Sequence, residues 1–570
     1  MGVPGFFLWL IQNYKQEKFV FKKSSLKKED DLYKQVNNID YFLIDTNCML
    51  HPECFKVLAE NEKINDIDKL QRKMYKACIE YLEKIIEIAD PKKGVYIAID
   101  GVAPIAKIKQ QRSRRFKSVY DRQLYSNIRK KHGKEEPFFW NNSAITPGTK
   151  FMRELDQLIR DWAVKFAKKR KLEILYSSCN TPSEGEHKLL QYIYKNKEKN
   201  YSYLMYGLDA DLIFLTLATG LNNIYLLREA NQMNKKDKGF NYVSIEIMKN
   251  AIFGSCESIL KEKEFDIEIN KDNVINDFIF ICYLMGNDFL PHLPSLDIYE
   301  GAIDLLLDTY IEVFTEHNEY LINRDNKPSI NNKMFNDLIM ELSLSETQIL
   351  AENYGKKKKI FRCRSDDPYE KELHKIENLQ FNIKDTIQLG NGSYEEYRER
   401  YYKHHFNVDK EDIEDFAKQM VYHYMRGLKW ITLYYFDTCP SWEWYYPYDY
   451  PPFLTDIYKY QVSFDDINFE IGNHLCPFEQ LMCVLPKQSA YLLPKSLQKI
   501  MLNINSSVSH LYPTTFEIDL VNKKKFWMGH PKLPPLEIEN IKVMFNKYKH
   551  KLSYIENDMN SVKNIHKVKF

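Results

Sequence analysis

Four apolar runs punctuate the first half of the chain. They are Tyr41-Phe42-Leu43-Ile44, Gly94-Val95-Tyr96-Ile97-Ala98-Ile99, Leu172-Glu173-Ile174-Leu175-Tyr176 and Tyr203-Leu204-Met205-Tyr206-Gly207-Leu208. Each is short, nearly continuous and rich in β-formers, and longer stretches of helical character separate them, so residues 1–350 read as α/β. Strands apolar on both faces predict a mostly parallel sheet flanked by helices. Composition shifts over 351–390, where Gly355 is followed by Lys356 to Lys359 and then by Arg362 and Arg364. This stretch predicts a linker or exposed excursion. Residues 391–550 predict a second, aromatic-rich and mainly helical block packed on the first. Residues 551–570 form a polar tail expected to fray. No internal repeat is visible.

Three of the four strands run straight into an acid: Asp45 after the first, Asp100 after the second, Asp209 and Asp211 after the fourth. In an open parallel sheet, ligands bind beyond the carboxyl ends of the strands, so acids delivered there converge. The third strand leads through a loop to Pro182-Ser183-Glu184-Gly185-Glu186-His187, and Asp288 follows an apolar helix in Gly286-Asn287-Asp288-Phe289-Leu290-Pro291. Taken singly, these acids have plainer readings. Ser183 to Glu186 spells a capping box, and Asp45-Thr46-Asn47 and Asp100-Gly101 suit strand-exit turns. Seven together would repel each other by several kcal/mol without a neutralising cation. Hard oxygen donors select Mg²⁺, with Mn²⁺ as a substitute, and two ions suit in-line displacement at a phosphodiester.

The stretch after Asp100 carries Lys107, Gln111, Arg114 and Arg115 at i, i+4, i+7 and i+8, one face of a helix. Between Gly101 and Trp140 eleven Lys/Arg stand against three Asp/Glu. A solvated helix face is the plain reading, but the acids are not interleaved as in a salt-bridged surface helix. Two guanidiniums, an ammonium and an amide suit a terminal phosphate. His51, six residues after Asp45, falls near the same place. Trp442-Glu443-Trp444-Tyr445-Tyr446-Pro447-Tyr448-Asp449-Tyr450 holds six aromatics in nine positions. Packing explains the tyrosines, and one tryptophan could stack on a base.

Composition narrows the picture. Over 570 residues, 81 basic and 79 acidic side chains leave a net charge of +2, which excludes a uniformly basic coat for nucleic acid but not a local basic patch. The ten cysteines form no CxxC pair, which argues against a zinc ribbon or a disulfide framework and for a reducing compartment. No apolar run approaches membrane-spanning length, and no membrane partner is expected.

These motifs, in this order, resemble the Xrn family of 5′→3′ exoribonucleases. The resemblance rests on Met1-Gly2-Val3-Pro4 with Phe6-Phe7, Asp45-x-Asn47 with His51, Asp100-Gly-Val-Ala-Pro and Gln110-Gln111-Arg112-Ser113-Arg114-Arg115-Phe116. It continues through Ile145-Thr146-Pro147-Gly148-Thr149, Glu184-Gly-Glu186-His187-Lys188, Tyr206-Gly-Leu-Asp209-Ala-Asp211 and Gly286-Asn-Asp288-Phe-Leu-Pro-His-Leu-Pro. In the second block Glu399-Arg400-Tyr401-Tyr402, Ser441-Trp442-x-Trp444-Tyr445, Pro477-Phe478-Glu479-Gln480-Leu481-Met482 and Phe516-Glu517-Ile518-Asp519 extend it to about residue 540. The resemblance implies a PIN-like, flap-endonuclease-type nuclease core. It puts the seven acids on metal-binding positions, Lys107, Gln111, Arg114 and Arg115 on a 5′-monophosphate pocket, and His51 with Trp442 or Trp444 on base-stacking positions. Two departures bear on the site: Ile105 replaces a usual Arg, and Ser183 replaces the usual Gly of Pro-Gly-Glu. No C-terminal extension or zinc knuckle matches, so no protein partner is carried over.

The expectation is therefore a monomeric, Mg²⁺-dependent 5′→3′ exoribonuclease of the cytoplasm, or alternatively the nucleus. It would degrade 5′-monophosphorylated single-stranded RNA to nucleoside 5′-monophosphates. The rival readings are a flap-type DNA endonuclease and a non-catalytic RNA-binding scaffold.

Overall fold

A computed structural model describes residues 5–61, 64, 66–230, 238–356 and 361–569. Met1–Pro4 of the opening motif and Lys357–Lys359 of the basic run lie outside the described residues.

One eight-stranded sheet organises the protein. The four apolar runs become β2 (Tyr41–Asp45), β3 (Gly94–Ala98), β4 (Glu173–Ser177) and β5 (Tyr203–Tyr206). With β1 (Val20–Phe21), β6 (Ile224–Glu229), β7 (Phe240–Ser244) and a C-terminal strand, His566–Val568, the order is β1-β7-β6-β5-β2-β3-β4-C-terminal strand. The five central strands, β6-β5-β2-β3-β4, are parallel; β1, β7 and the C-terminal strand close the edges antiparallel. Asp45 pairs with Ala98, Ala98 with Ser177, and Ile44 with Tyr206, so the carboxyl ends of the strands finish level. From β2 the chain steps outward through β3 and β4, then returns to the other side of β2 for β5 and β6. The reversal at β2 is the kind of switch point at which open α/β sheets form a ligand crevice.

Burial follows from alternation. Leu43, Tyr203, Met205 and Leu226 face one core, built with the helices Lys271–Cys282, Ala302–His317, Asn332–Gly355 and Ile413–Phe436. Phe42, Ile44, Val95, Ile97 and Leu204 face the other, against the helices Ile67–Ala89 and Lys150–Arg170. A third core forms between the helix Ile105–Lys131, through Ile105, Ile108 and Phe116, and the helices Pro477–Val484, Lys495–Leu502 and Ile538–Tyr548. Ile105 is thus a buried core residue. No helix among the described residues is long and apolar enough to cross a membrane.

The expectation that the tail frays is corrected. Val568, Lys567 and His566 pair with Ile174, Leu175 and Tyr176 of β4, and Asn180 and Thr181 bond the backbone of Met559, Ser561 and Lys563. The 351–390 stretch contains the helix Pro368–Glu377, whose Glu372 pairs with Lys131 and His132 at the far end of Ile105–Lys131.

Candidate active site

The strand ends carry the acids where the alternation delivers them. Asp45 is the last residue of β2, Asp100 lies two residues beyond β3, and Asp209 and Asp211 follow β5. Glu184 and Glu186 open the helix Gly185–Lys195, which fits over the ends of β2 and β3 because Gly185 lacks a side chain. A Cβ there would stand 2.9 Å from Asp45 Oδ1 and 3.0 Å from the Ala98 carbonyl. The Gly185 N–H donates to Asp100 Oδ1 at 2.6 Å, and Asn47 donates to Asp100 Oδ2 at 2.7 Å.

The capping box is not formed. Glu184 occupies the N-cap position without a side-chain cap, and Ser183 lies one residue outside the helix. Ser183 has φ 97°, a conformation that favours glycine. It is held there by bonds between its N–H and the Val102 carbonyl (2.8 Å) and between the Gly101 N–H and its own carbonyl (2.9 Å). Serine in the glycine position of Pro-Gly-Glu therefore keeps the backbone geometry at a cost in strain.

All seven acids belong to one electrostatic network. Burial, then Asp100 and Asp209, pushes Asp45 up to about 8. Burial, then Asp288 and Asp209, pushes Asp211 up to about 7. Asp100 is raised by burial and by Glu184. Glu186 is raised well above the usual carboxylate range by burial, Glu184, Asp211 and Asp45, against the pull of Lys107. Asp288 goes the other way: burial would raise it, but Lys107 holds it well below the usual range. Carboxylates crowded enough to retain protons near neutrality are a donor set suited to a divalent cation. Asp45 Oδ1 and Asp211 Oδ1 are buried with no hydrogen-bond partner, leaving lone pairs available to one. The residues present fit a hard metal.

The basic helix divides on closer inspection. Lys107 sits among the acids, its Nζ 2.6 Å from both Glu184 Oε1 and Asp288 Oδ2. Gln110 adds a bond to Asp288 Oδ1 at 3.2 Å. Grouping Lys107 with a phosphate grip is corrected to that extent: its partners are carboxylates. Arg114 is exposed. Arg115 is half-buried, donates to Thr146 Oγ1 at 2.7 Å and keeps a buried Nη1 without a partner. Burial and the neighbouring Arg114 lower Arg115 to about 9. Gln111 Oε1 is also buried and unbonded. His51, in the helix Asn47–Glu60, is lowered to about 4 by burial and by Arg114 and Arg115, with Asp209 opposing. Both arginines and Asp209 thus lie within electrostatic reach of His51.

The tryptophans part company. Trp444 is buried, stacked on Trp430 at 5.2 Å, and Trp430 stacks in turn on Tyr434 at 4.7 Å. Its place in the core corrects its candidacy for base stacking. Trp442 is partly exposed, its ring edge-on to His474 at 5.5 Å. Its carbonyl accepts from the Ile105 N–H at 2.9 Å, which ties it to the start of the basic helix.

Sequence reasoning missed Tyr434. Its hydroxyl donates to Glu184 Oε2 at 2.8 Å, its carbonyl lies 2.9 Å from His187 Nε2, and its ring stacks on His187 at 4.0 Å. It comes from the helix Ile413–Phe436, 250 residues from Glu184, and nothing local marks it. Asn47, Gln110 and Thr146 each lie inside a motif named above, which was the available signal for them.

Known families and proteins match most of the chain. The model of the XRN 5′-3′ exonuclease N-terminus matches residues 1–230, and that of the Xrn1 helical domain matches 268–378 and 364–566. The 5′-3′ exoribonuclease 2 of Arabidopsis thaliana is 29% identical over 94% of this chain and 66% of its own length. The 5′-3′ exoribonuclease 1 of Homo sapiens is 31% identical over 98% of this chain and 35% of its own, so the chain spans about a third of that relative. The catalytic core of Rad2 in complex with DNA substrate is a loose likeness, 12% identical over 67% of this chain and 92% of that one, with a TM-score of 0.25, and carries no argument. With both family models matched over most of its length, the chain belongs to the XRN 5′-3′ exonuclease family.

Proposed function

We propose that the protein is a 5′→3′ exoribonuclease that removes nucleoside 5′-monophosphates, one at a time, from single-stranded RNA bearing a 5′-monophosphate. The observation that carries this is a network of seven acids beside a helix face whose arginine and glutamine keep buried, unpartnered polar atoms. Asp45, Asp100, Glu184, Glu186, Asp209, Asp211 and Asp288 would hold two Mg²⁺ ions, with Mn²⁺ as a substitute. When bound, the metal supplies an activated water and neutralises charge on the leaving 3′ oxygen.

The chain's own groups do the rest. Arg114 and Arg115, with Gln111, bind the terminal phosphate; Thr146 fixes the Arg115 guanidinium by accepting from it. Lys107 orients Glu184 and Asp288 through its two short contacts, and Tyr434 and Asn47 hold Glu184 and Asp100 in place. His51 stays neutral near pH 7 and presents its ring to the terminal base without attracting a second phosphate. Trp442 is the tryptophan whose position suits stacking.

The test uses internally and 3′-labelled RNA with a 5′-monophosphate, triphosphate or hydroxyl end, with Mg²⁺ or EDTA. Mononucleotides released from the monophosphorylated RNA alone, and only with Mg²⁺, are expected. Internal cuts indifferent to the 5′ end would favour a flap-type endonuclease. Binding without cleavage would favour a scaffold.

A further inference from the structure

A second set of metal-ligating side chains lies outside the crevice and takes no part in the chemistry above. His404 and His405 occupy the last turn of the helix Tyr394–Phe406. Asp519 belongs to the short strand Ile518–Asp519, which pairs antiparallel with His530–Pro531. His404 Nε2 and His405 Nδ1 each lie 3.4 Å from the same atom, Asp519 Oδ2. Neither ring nitrogen makes a hydrogen bond, although both are buried atoms. One ligand atom from each of the three residues lies within 4.8 Å of the others, and among the described residues this is the one such His/Cys/Asp/Glu triple.

The spacing has a chemical meaning. Hydrogen-bonded imidazole and carboxylate would close below about 3.0 Å. Ligands about 2.0–2.1 Å from a shared tetrahedral ion stand about 3.3–3.4 Å apart along the tetrahedral edge. The observed 3.4 Å separations match that edge and exceed a good hydrogen bond.

The surroundings hold the three groups in this pose. His404 Nδ1 is 2.7 Å from Thr386 Oγ1, which fixes the ring and leaves Nε2 free to ligate. The His405 ring stacks on Tyr450 at 3.6 Å. Asp519 is held from both sides: Tyr450 Oη donates to Oδ2 at 2.5 Å and the Val521 N–H to Oδ1 at 3.0 Å. Lys523 lies over the Tyr450 ring at 5.4 Å.

We propose that His404, His405 and Asp519 bind one Zn²⁺ at a site separate from the catalytic acids. Two imidazole nitrogens and one carboxylate oxygen are a borderline donor set that selects zinc over magnesium, with a fourth position for water. The ion fastens the end of the helix Tyr394–Phe406 to the Asp519 hairpin and, through Tyr450, to the aromatic run. Lys109 of the basic helix donates to the Tyr446 and Tyr448 carbonyls of that same run. The site therefore stiffens the shelf on which the basic helix rests, whatever reaction the crevice performs.

Metal analysis of the full chain after dialysis against excess Mg²⁺, followed by Co²⁺ titration of the stripped protein, tests this. One equivalent of Zn²⁺ is expected, replaced by Co²⁺ with the intense visible bands of a tetrahedral centre. The catalytic acids would hold Co²⁺ with six oxygens and absorb weakly. His404→Gln and Asp519→Asn should each lose the band and the zinc-dependent rise in Tm while keeping Mg²⁺-dependent activity, whereas Asp211→Asn should keep the band. Thr386→Val should weaken Zn²⁺ binding about 10–100-fold. A wild-type protein without zinc and without tetrahedral Co²⁺ bands, or an undiminished band in His404→Gln, would overturn the proposal.

Discussion

The two ends of the helix Ile105–Lys131 are both basic and use their charge differently. From its middle to its distal end several cations find acids nearby: Lys117 pairs with Asp121, Arg129 with Glu136, and Lys131 and His132 share Glu372. Lys134, just beyond the helix, pairs with Asp367. At the proximal end Lys109 pairs with Asp449, Lys107 enters the acid cluster, Arg115 keeps a buried donor unpaired, and Arg114 faces solvent beside it. Arg112 turns the other way and donates to the carbonyls of Cys483 and Leu511 in the third core. Net charge therefore says little about where a helix binds phosphate. The informative feature is buried hydrogen-bonding capacity that no protein group uses.

Substitutions at the proximal end and in the crevice should have the largest effects. Asp211→Asn removes a buried carboxylate of the proposed metal site and should reduce turnover by about 10²–10³-fold, as judged from losses at single groups in other active sites; a discontinuous assay with 5′-monophosphorylated RNA measures it. Arg115→Ala removes charged hydrogen bonds of about 1.5–3 kcal/mol. Its kcat/KM on monophosphorylated RNA should fall by about 10–100-fold, with little change on RNA lacking the phosphate.

The crevice should also show in pH. Asp45 and Asp211 have raised folded-state values of about 8 and about 7, so the folded protein binds protons more tightly than the unfolded chain there. That contribution to stability is fully present below the unfolded pKa near 4 and is lost as pH rises through 7 and 8. In EDTA, Tm should fall between pH 6 and pH 8, and Mg²⁺ should restore more at pH 8 than at pH 6, as read by thermal melts. Glu372→Ala, which removes the partner of Lys131 and His132 at the distal end, should give the smallest effect: activity and Tm within error of wild type, since exposed pairs of this kind contribute little. A large loss there would erase the contrast between the two ends.

Much of the site was legible because its acids are local to strong signals. Asp45, Asp100, Asp209 and Asp211 each follow an apolar run, and parallel pairing levels the ends of those runs. The edge strands were not legible. Val20–Phe21 is two residues long, and His566–Val568 has one buried side chain, Val568, so neither carries a pattern. The capping box misled because S-x-x-E describes side chains and ignores that the chain arrives at Ser183 with φ 97°. Tyr434 on Glu184, Lys107 on Asp288, and Asp519 against the two histidines join segments remote in sequence. Such pairings are set by how the helical block docks on the sheet, which no local pattern encodes.

The central claim is that the proximal arginines read a 5′-monophosphate for the acid crevice beside them. The most direct measurement is the ratio of kcat/KM for 5′-monophosphorylated over 5′-hydroxyl RNA, in wild type and in Arg114→Ala/Arg115→Ala. The expected result is a ratio of about 100 or more in wild type, from charged contacts of about 1.5–3 kcal/mol at each arginine, falling close to one in the double variant. A wild-type ratio near one, or a ratio unchanged by the double substitution, would contradict it.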